Sequence, residues 1–151
     1  MKIPFLALLF GGIPEQIALV YLAFVIANVP IKWKEIVPIG LCLALVAYVL
    51  RLLPITFGVH TIILIGLLFV ILIFFYKISI STSILASLIS FLALILFETT
   101  FLILIKVLFD ITLITLENNV PIRIFTTWPQ IISLFLTAFI INKWKKVKGR
   151  R

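Results

Sequence analysis

Charge is scarce in this chain, and acid scarcer still. Charged residues make up 12% of it, with five Asp or Glu against thirteen Lys or Arg. A soluble domain carries about twice that charged fraction, so composition argues against a water-soluble globule. One histidine and one cysteine leave no disulfide framework, no Cys-based metal site and no multi-His metal centre. Gly-rich phosphate loops, nucleophile motifs and paired catalytic carboxylates are missing too, so neither an enzyme nor a cofactor is expected. What fills the space is apolar: 64% hydrophobic residues and a mean hydropathy of +1.38. That much apolar surface cannot all be hidden inside 151 residues, and lipid is the solvent it requires. Cys42, in an apolar run, reads as a packing residue.

About 20 helical residues, rising about 1.5 Å each, cross the ~30 Å hydrocarbon layer. Runs of that kind predict an all-α, polytopic membrane bundle in one domain, with five spans at about 14–29, 36–53, 59–76, 83–108 and 129–142. Pro14 and Glu15 suit the first turn of the first span, since proline there loses no hydrogen bond and an acid favours the positive end of the dipole. The apolar stretch 3–12 is then a half-helix or a kinked extension of that span. It lacks a small-residue cleavage pattern, so it is expected to stay in the mature chain. Ser79, Ser81 and Thr82 supply a turn and cap before the fourth span. The connection 109–127 suits a short interfacial helix, and Thr127-Trp128-Pro129 is read as the cap of the fifth span.

The basic residues set an expected orientation. With five spans and a cytoplasmic tail at 143–151, nine basic residues lie inside: Lys32, Lys34, Lys77, Lys143, Lys145, Lys146, Lys148, Arg150 and Arg151. Four remain outside, namely Lys2, Arg51, Lys106 and Arg123. The expectation is a multi-pass protein of the cell membrane, N-terminus out and C-terminus in. Trp33 and Trp144 each sit in a Lys-Trp-Lys triplet on the inner face, and Trp128 marks the outer one; all three are expected membrane anchors. The tail reads as a stop-transfer and orientation signal, or as a grip on anionic lipid. Nine residues supply no folded basic surface, so nucleic acid is not an expected partner.

Candidate site residues are the ionisable groups within the spans. Glu98 interrupts the most apolar run, and an acid there must face protein or water. Arg51, His60 and Glu15 fall at the same outer depth under this topology. Gly40, Ala44 and Ala47 form a small-residue stripe leading to Arg51, and Ser83, Ala86, Ser87 and Ser90 form another on the fourth span; such stripes face neighbouring helices. Ser87 lies eleven residues before Glu98, about 20° around the helix, so Glu98 is expected to face inward with it. Arg51 and Glu98 then form either a ligand pocket open to the outside, with His60 and Glu15 at its rim, or an internal salt bridge that sets helix packing. A mixed site of His60, Glu98 and Glu15 for a metal has no recognisable ligand spacing.

The order of landmarks resembles a known family. Gly12-Ile13-Pro14-Glu15 opens the first span, and the run Arg51-Leu52-Leu53-Pro54-Ile55-Thr56-Phe57-Gly58-Val59-His60-Thr61 joins the second and third. Glu98 lies in the fourth, and Pro129-Gln130 starts the last. The pattern resembles the amino-terminal membrane-sensor module of multi-span bacterial histidine kinases with a GHKL-type ATPase domain. Neither a phosphoacceptor histidine nor a nucleotide-binding box accompanies it here. The resemblance implies a sensing module without the kinase, either free-standing or paired with a separately encoded kinase. The leading expectation is a non-enzymatic membrane sensor or regulator that binds an external ligand. The alternative is a small-solute transport component or an oligomeric channel, for which the inner half shows a thin polar path and no inverted repeat. Five short spans also leave room for a homo-oligomer.

Overall fold

The computed structural model describes the backbone of residues 8–54, 58–111, 114 and 120–148, with the side chains of residues 8, 9, 51, 120 and 123 outside that description. Among the described residues every regular element is helical. A π-helical turn, Leu8–Gly12, runs directly into α1 (Ile13–Ala27), followed by α2 (Trp33–Leu52), α3 (Val59–Tyr76), α4 (Ile80–Phe109) and α5 (Val120–Lys148). Among the described residues five helices are long and apolar enough to cross a membrane, which fits the expected all-α polytopic bundle. Alternate helix ends gather at two poles, one of which carries most of the lysines and is here called the basic end.

The centre of the bundle is α1, not the long apolar fourth span. Ten of its fifteen residues are buried, from Gln16 to Ala27, while α3 buries three of eighteen. Helix α1 packs against α2, α4 and α5, and α3 lies outside, resting on α2 and α4. The reason is chemical. A helix wrapped by other helices needs small residues for close approach, and α1 supplies Ala18, Ala23 and Ala27. A helix facing acyl chains needs Leu, Ile and Phe on its outer face, which α3 and α4 have.

Both small-residue stripes face inward as expected. Gly40, Ala44 and Ala47 are buried on α2, and a Cβ at Gly40 would come within 2.6 Å of Ile17 Cγ1 and 2.8 Å of Ile17 Cα. Glycine is therefore required for α1 and α2 to cross this closely. On α4, Ser83, Ala86, Ser87 and Ser90 are all fully buried.

Helix ends follow local chemistry. Asn28, at φ 60°, closes α1 in the left-handed conformation that asparagine tolerates, and Val29 N–H donates to Phe24 O at 2.9 Å. Lys77 closes α3 the same way, with Ile78 N–H donating to Leu72 O at 3.2 Å. Ser79 caps α4 as expected, its hydroxyl accepting from Thr82 N–H at 3.4 Å.

Of the two readings of 3–12, the extension holds for its described part: Gly12 is helical at φ −65° and the wide π turn at Leu8–Gly12 takes the helix through to Pro14, whose missing N–H an ordinary turn would leave as a gap. Two expectations are corrected. The last span starts at Val120 rather than 129, so Thr127-Trp128-Pro129 is interior and not a cap. Ser133 Oγ donates to Pro129 O at 2.8 Å and Thr137 Oγ1 to Ser133 O at 2.7 Å; hydroxyls of this kind help a membrane helix accommodate an internal proline. Cys42 is exposed instead of packed, because it lies away from the Gly40–Ala44–Ala47 face. Of the connection 109–127, where a short interfacial helix was expected, residues 120–127 belong to α5, and 112, 113 and 115–119 lie outside the described residues.

Candidate functional site

Two contacts register the helices against one another. The rings of Phe24 and Tyr76 meet edge to face with centroids 4.9 Å apart, and Gly40 rests on Ile17. From the first contact, at 1.5 Å per residue, Glu15 lies about 14 Å toward the far end and His60 about 24 Å. From the second, Glu15 lies about 3 Å beyond Ile17 and the Arg51 backbone about 17 Å beyond Gly40. Both routes put Arg51 and His60 about 10–14 Å farther from the basic end than Glu15. Glu98, about 27 Å along α4 from Ile80, shares the Arg51 and His60 level. The four polar groups thus occupy two levels, where one common depth was expected. In a ~30 Å hydrocarbon layer beginning at the Tyr76 level, Glu15 falls near the midplane and Glu98 near the far boundary.

Glu98 is exposed, and no residue of α4 from Ile95 to Leu104 is buried. Its angle matches Ser87, as expected, but at that height the neighbouring helices do not cover α4. His60 is half-buried, and both it and Glu98 engage other groups. The side chain of Arg51 lies outside the described residues, so its expected pairing with Glu98 does too.

Of the four candidate groups, Glu15 lies nearest the midplane. Its Oε2 accepts from Gln130 Nε2 at 3.0 Å, joining α1 to α5 across the middle of the bundle. Gln130 is 5% exposed and Thr126, one turn above it, 7%. Beside them the π turn brings Gly11 against Thr127, whose Cγ2 lies 3.7 Å from where a Gly11 Cβ would be. The neighbouring Gln16 is 4% exposed, and its Oε1 has no hydrogen-bond donor. Ser83 Oγ and Ser87 Oγ are likewise buried without partners. A helical serine has a local remedy, as Ser90 shows by donating to Ala86 O at 2.7 Å. The Gln16 carbonyl has none, and a buried acceptor left unmet costs about 1–3 kcal/mol. An acid, two amides and two threonines from α1 and α5 therefore gather where lipid tolerates polarity least.

Around α1, Ile17 faces α2 and Glu15 reaches α5. Gln16 is about 100° from each, on the side that α4 occupies. The Gln16 level, about 12 Å from Phe24, is that of Ser87 on α4. Unpartnered oxygens thus extend the polar group from Glu15 toward the basic half, along the α1–α4 contact.

The basic end carries a second polar assembly. Lys145 Nζ donates to Val25 O at 2.8 Å, Ile26 O at 3.0 Å and Asn28 Oδ1 at 3.0 Å. It caps the carbonyl end of α1, where a cation also meets the negative pole of the helix. Tyr76 donates to Glu35 Oε2 at 2.8 Å, tying the end of α3 to the start of α2. Trp33 stacks on Tyr21 at 5.0 Å, and Lys148 lies 4.6 Å over the Trp144 ring. Trp33, Trp128 and Trp144 are all exposed; Trp33 and Trp144 lie at the basic end, whereas Trp128, two residues from Gln130 on α5, lies near the Glu15 level and not at the outer boundary expected of it.

Comparison with known protein families, curated proteins and solved structures finds no match to this chain. Among the described residues, no three His, Cys, Asp or Glu side chains cluster to hold a metal ion. Sequence reasoning singled out Glu15 but missed Gln16, Gln130, Thr126 and Lys145. A signal for α5 was present: Thr126, Gln130, Ser133 and Thr137 recur at i, i+4, i+7 and i+11, one polar line along a helix. Starting the span at Pro129 cut that line short.

Proposed function

We propose that the chain is a non-enzymatic sensor or regulatory module of the cell membrane, lying N-terminus out with its basic end in the cytoplasm. The observation that supports this is the Glu15–Gln130 hydrogen bond. It links the central helix to the one helix that continues into the basic tail, and a buried polar contact is a natural two-state element. An external ligand reaches the level of Arg51, His60 and Glu98, and its effect passes through Glu15 and Gln130 along α5 to the Lys145 cap. A separately encoded kinase, or another membrane protein, is the partner that reads the tail.

To test it, nitroxide labels are placed at Lys32→Cys and Lys143→Cys in a Cys42→Ser background, in reconstituted full-length protein. Their distance distribution is compared with that in Gln130→Ala. Coupling predicts a shifted or broadened distribution at the basic end, about 20 Å from the substitution. An unchanged distribution sinks the transmission role. The second reading is a small-solute transport component, favoured by the partnerless Gln16, Ser83 and Ser87 oxygens in the basic half. Saturable solute uptake into vesicles, abolished by Glu15→Gln, would replace the sensor with it.

A further inference from the structure

At the basic end, the turn after α1 and the last turns of α5 enclose a cleft of about 530 Å³. Val25, Val29, Pro30 and Ile31 give it apolar walls, and Asn28, Asn142, Lys145 and Lys146 its polar ones. We infer that this cleft binds a phosphate-bearing anion, and that the phosphate is that of a lipid headgroup.

The chemistry of the lining points one way. Its ionisable groups are two lysines, with no carboxylate among them. Glu35, the one described acid at this end, is engaged by the Tyr76 hydroxyl. Lys145 has three N–H donors and three acceptors, Val25 O, Ile26 O and Asn28 Oδ1, so it gives the cleft its charge and its shape. That bond also orients Asn28: with Oδ1 turned to the ammonium, the amide NH2 is directed away from it. The donors left for a guest are Asn28 Nδ2, the Asn142 amide and Lys146 Nζ. Donors with net positive charge suit an anion with several acceptor oxygens, and phosphate is the common one. The apolar walls match glycerol and the first acyl methylenes, and exposed Trp33 and Trp144 put this end at headgroup depth. The volume lies within the ~300–1,000 Å³ of small-ligand sites.

The test uses the full chain in neutral detergent, with thermal unfolding followed on addition of phosphatidylglycerol, phosphatidylcholine or inorganic phosphate. Phosphatidylglycerol should raise Tm saturably, and phosphatidylcholine much less. Asn142→Ala with Lys146→Gln should weaken the phosphatidylglycerol effect at least tenfold in concentration, since two charge-assisted hydrogen bonds are lost and each is worth about tenfold or more. Lys34→Gln and Lys143→Gln each remove one charge outside the cleft and should leave the response intact. If the control variants lose as much as the cleft variant, or no Tm gain occurs, the site is refuted in favour of diffuse attraction. Stabilisation by inorganic phosphate as strong as that by the lipid, and equally dependent on Lys146, would overturn the headgroup assignment and leave a free-phosphate site.

Discussion

Replacing Gly40 with alanine isolates the closest helix crossing in the molecule. The new Cβ would lie 2.6 Å from Ile17 Cγ1, 2.8 Å from Ile17 Cα and 3.0 Å from Ile17 N. Carbon atoms rest at about 3.5–4.0 Å, so α1 and α2 must part by roughly 1 Å at this point. Two of the three blocking atoms are backbone, and no side-chain rotation relieves them. Overpacking of this kind costs about 1–3 kcal/mol, set against a gain of about 1 kcal/mol from alanine in a helix. The expected net loss is ~0–2 kcal/mol, toward the upper end because two of the blocking atoms are backbone. Gly66 on α3 supplies the control, because nothing lies within 4 Å of its Cβ position; Gly66→Ala should be neutral or stabilising by about 0.5–1 kcal/mol. Reversible unfolding in mixed micelles, titrated with denaturing detergent, reads both variants on one scale. Ile17→Ala in the Gly40→Ala background should restore only part of the loss, because it removes one blocking atom of three. Equal stabilities for Gly40→Ala and Gly66→Ala would refute the crossing geometry and, with it, the registration of Glu15 against Arg51.

Other perturbations address the polar contacts. Gln130→Leu should destabilise by about 1–3 kcal/mol in the same assay, since it removes the Gln130 Nε2 donor from the Glu15 carboxyl in the middle of the bundle; Glu15→Gln, which keeps an acceptor there, should cost less. Lys145→Met removes the cap on Val25, Ile26 and Asn28 and should cost about 1–3 kcal/mol, with trypsin cleavage at Lys32 and Lys34 accelerated as the end of α1 frays. Tyr76→Phe should lower stability by about 1 kcal/mol by removing the bond to Glu35, and a double variant with Glu35→Gln should be clearly non-additive.

The place of the acids shows where a linear reading stops. Glu98 drew attention because it breaks the longest apolar run, yet it lies near the far boundary of the hydrocarbon layer, on a helix longer than the bilayer that continues to Phe109, where exposure is tolerable. Glu15 looked like a rim residue because Pro14 suggested a helix start. The π turn at Leu8–Gly12 carries the helix on beyond it, which puts Glu15 about two turns in from the described helix end. Depth depends on where neighbouring helices begin and on how they are registered, and neither is written in the run that contains the acid.

From the residues alone came the solvent, the helical class, the five spans, the cap at Ser79 and the inward faces of both small-residue stripes. Each of these follows from local quantities: transfer free energy summed over about 20 residues, the 3.6-residue repeat, and the size of a side chain. Only the tertiary structure decided that α1 is the core helix, that Glu15 meets Gln130, that Gln16 is buried beside them, and that Lys145 seals the end of α1. Lipid and protein interior are both apolar, so hydropathy cannot distinguish a helix surrounded by lipid from one surrounded by helices. That choice is made by packing and by the few polar contacts between segments more than a hundred residues apart.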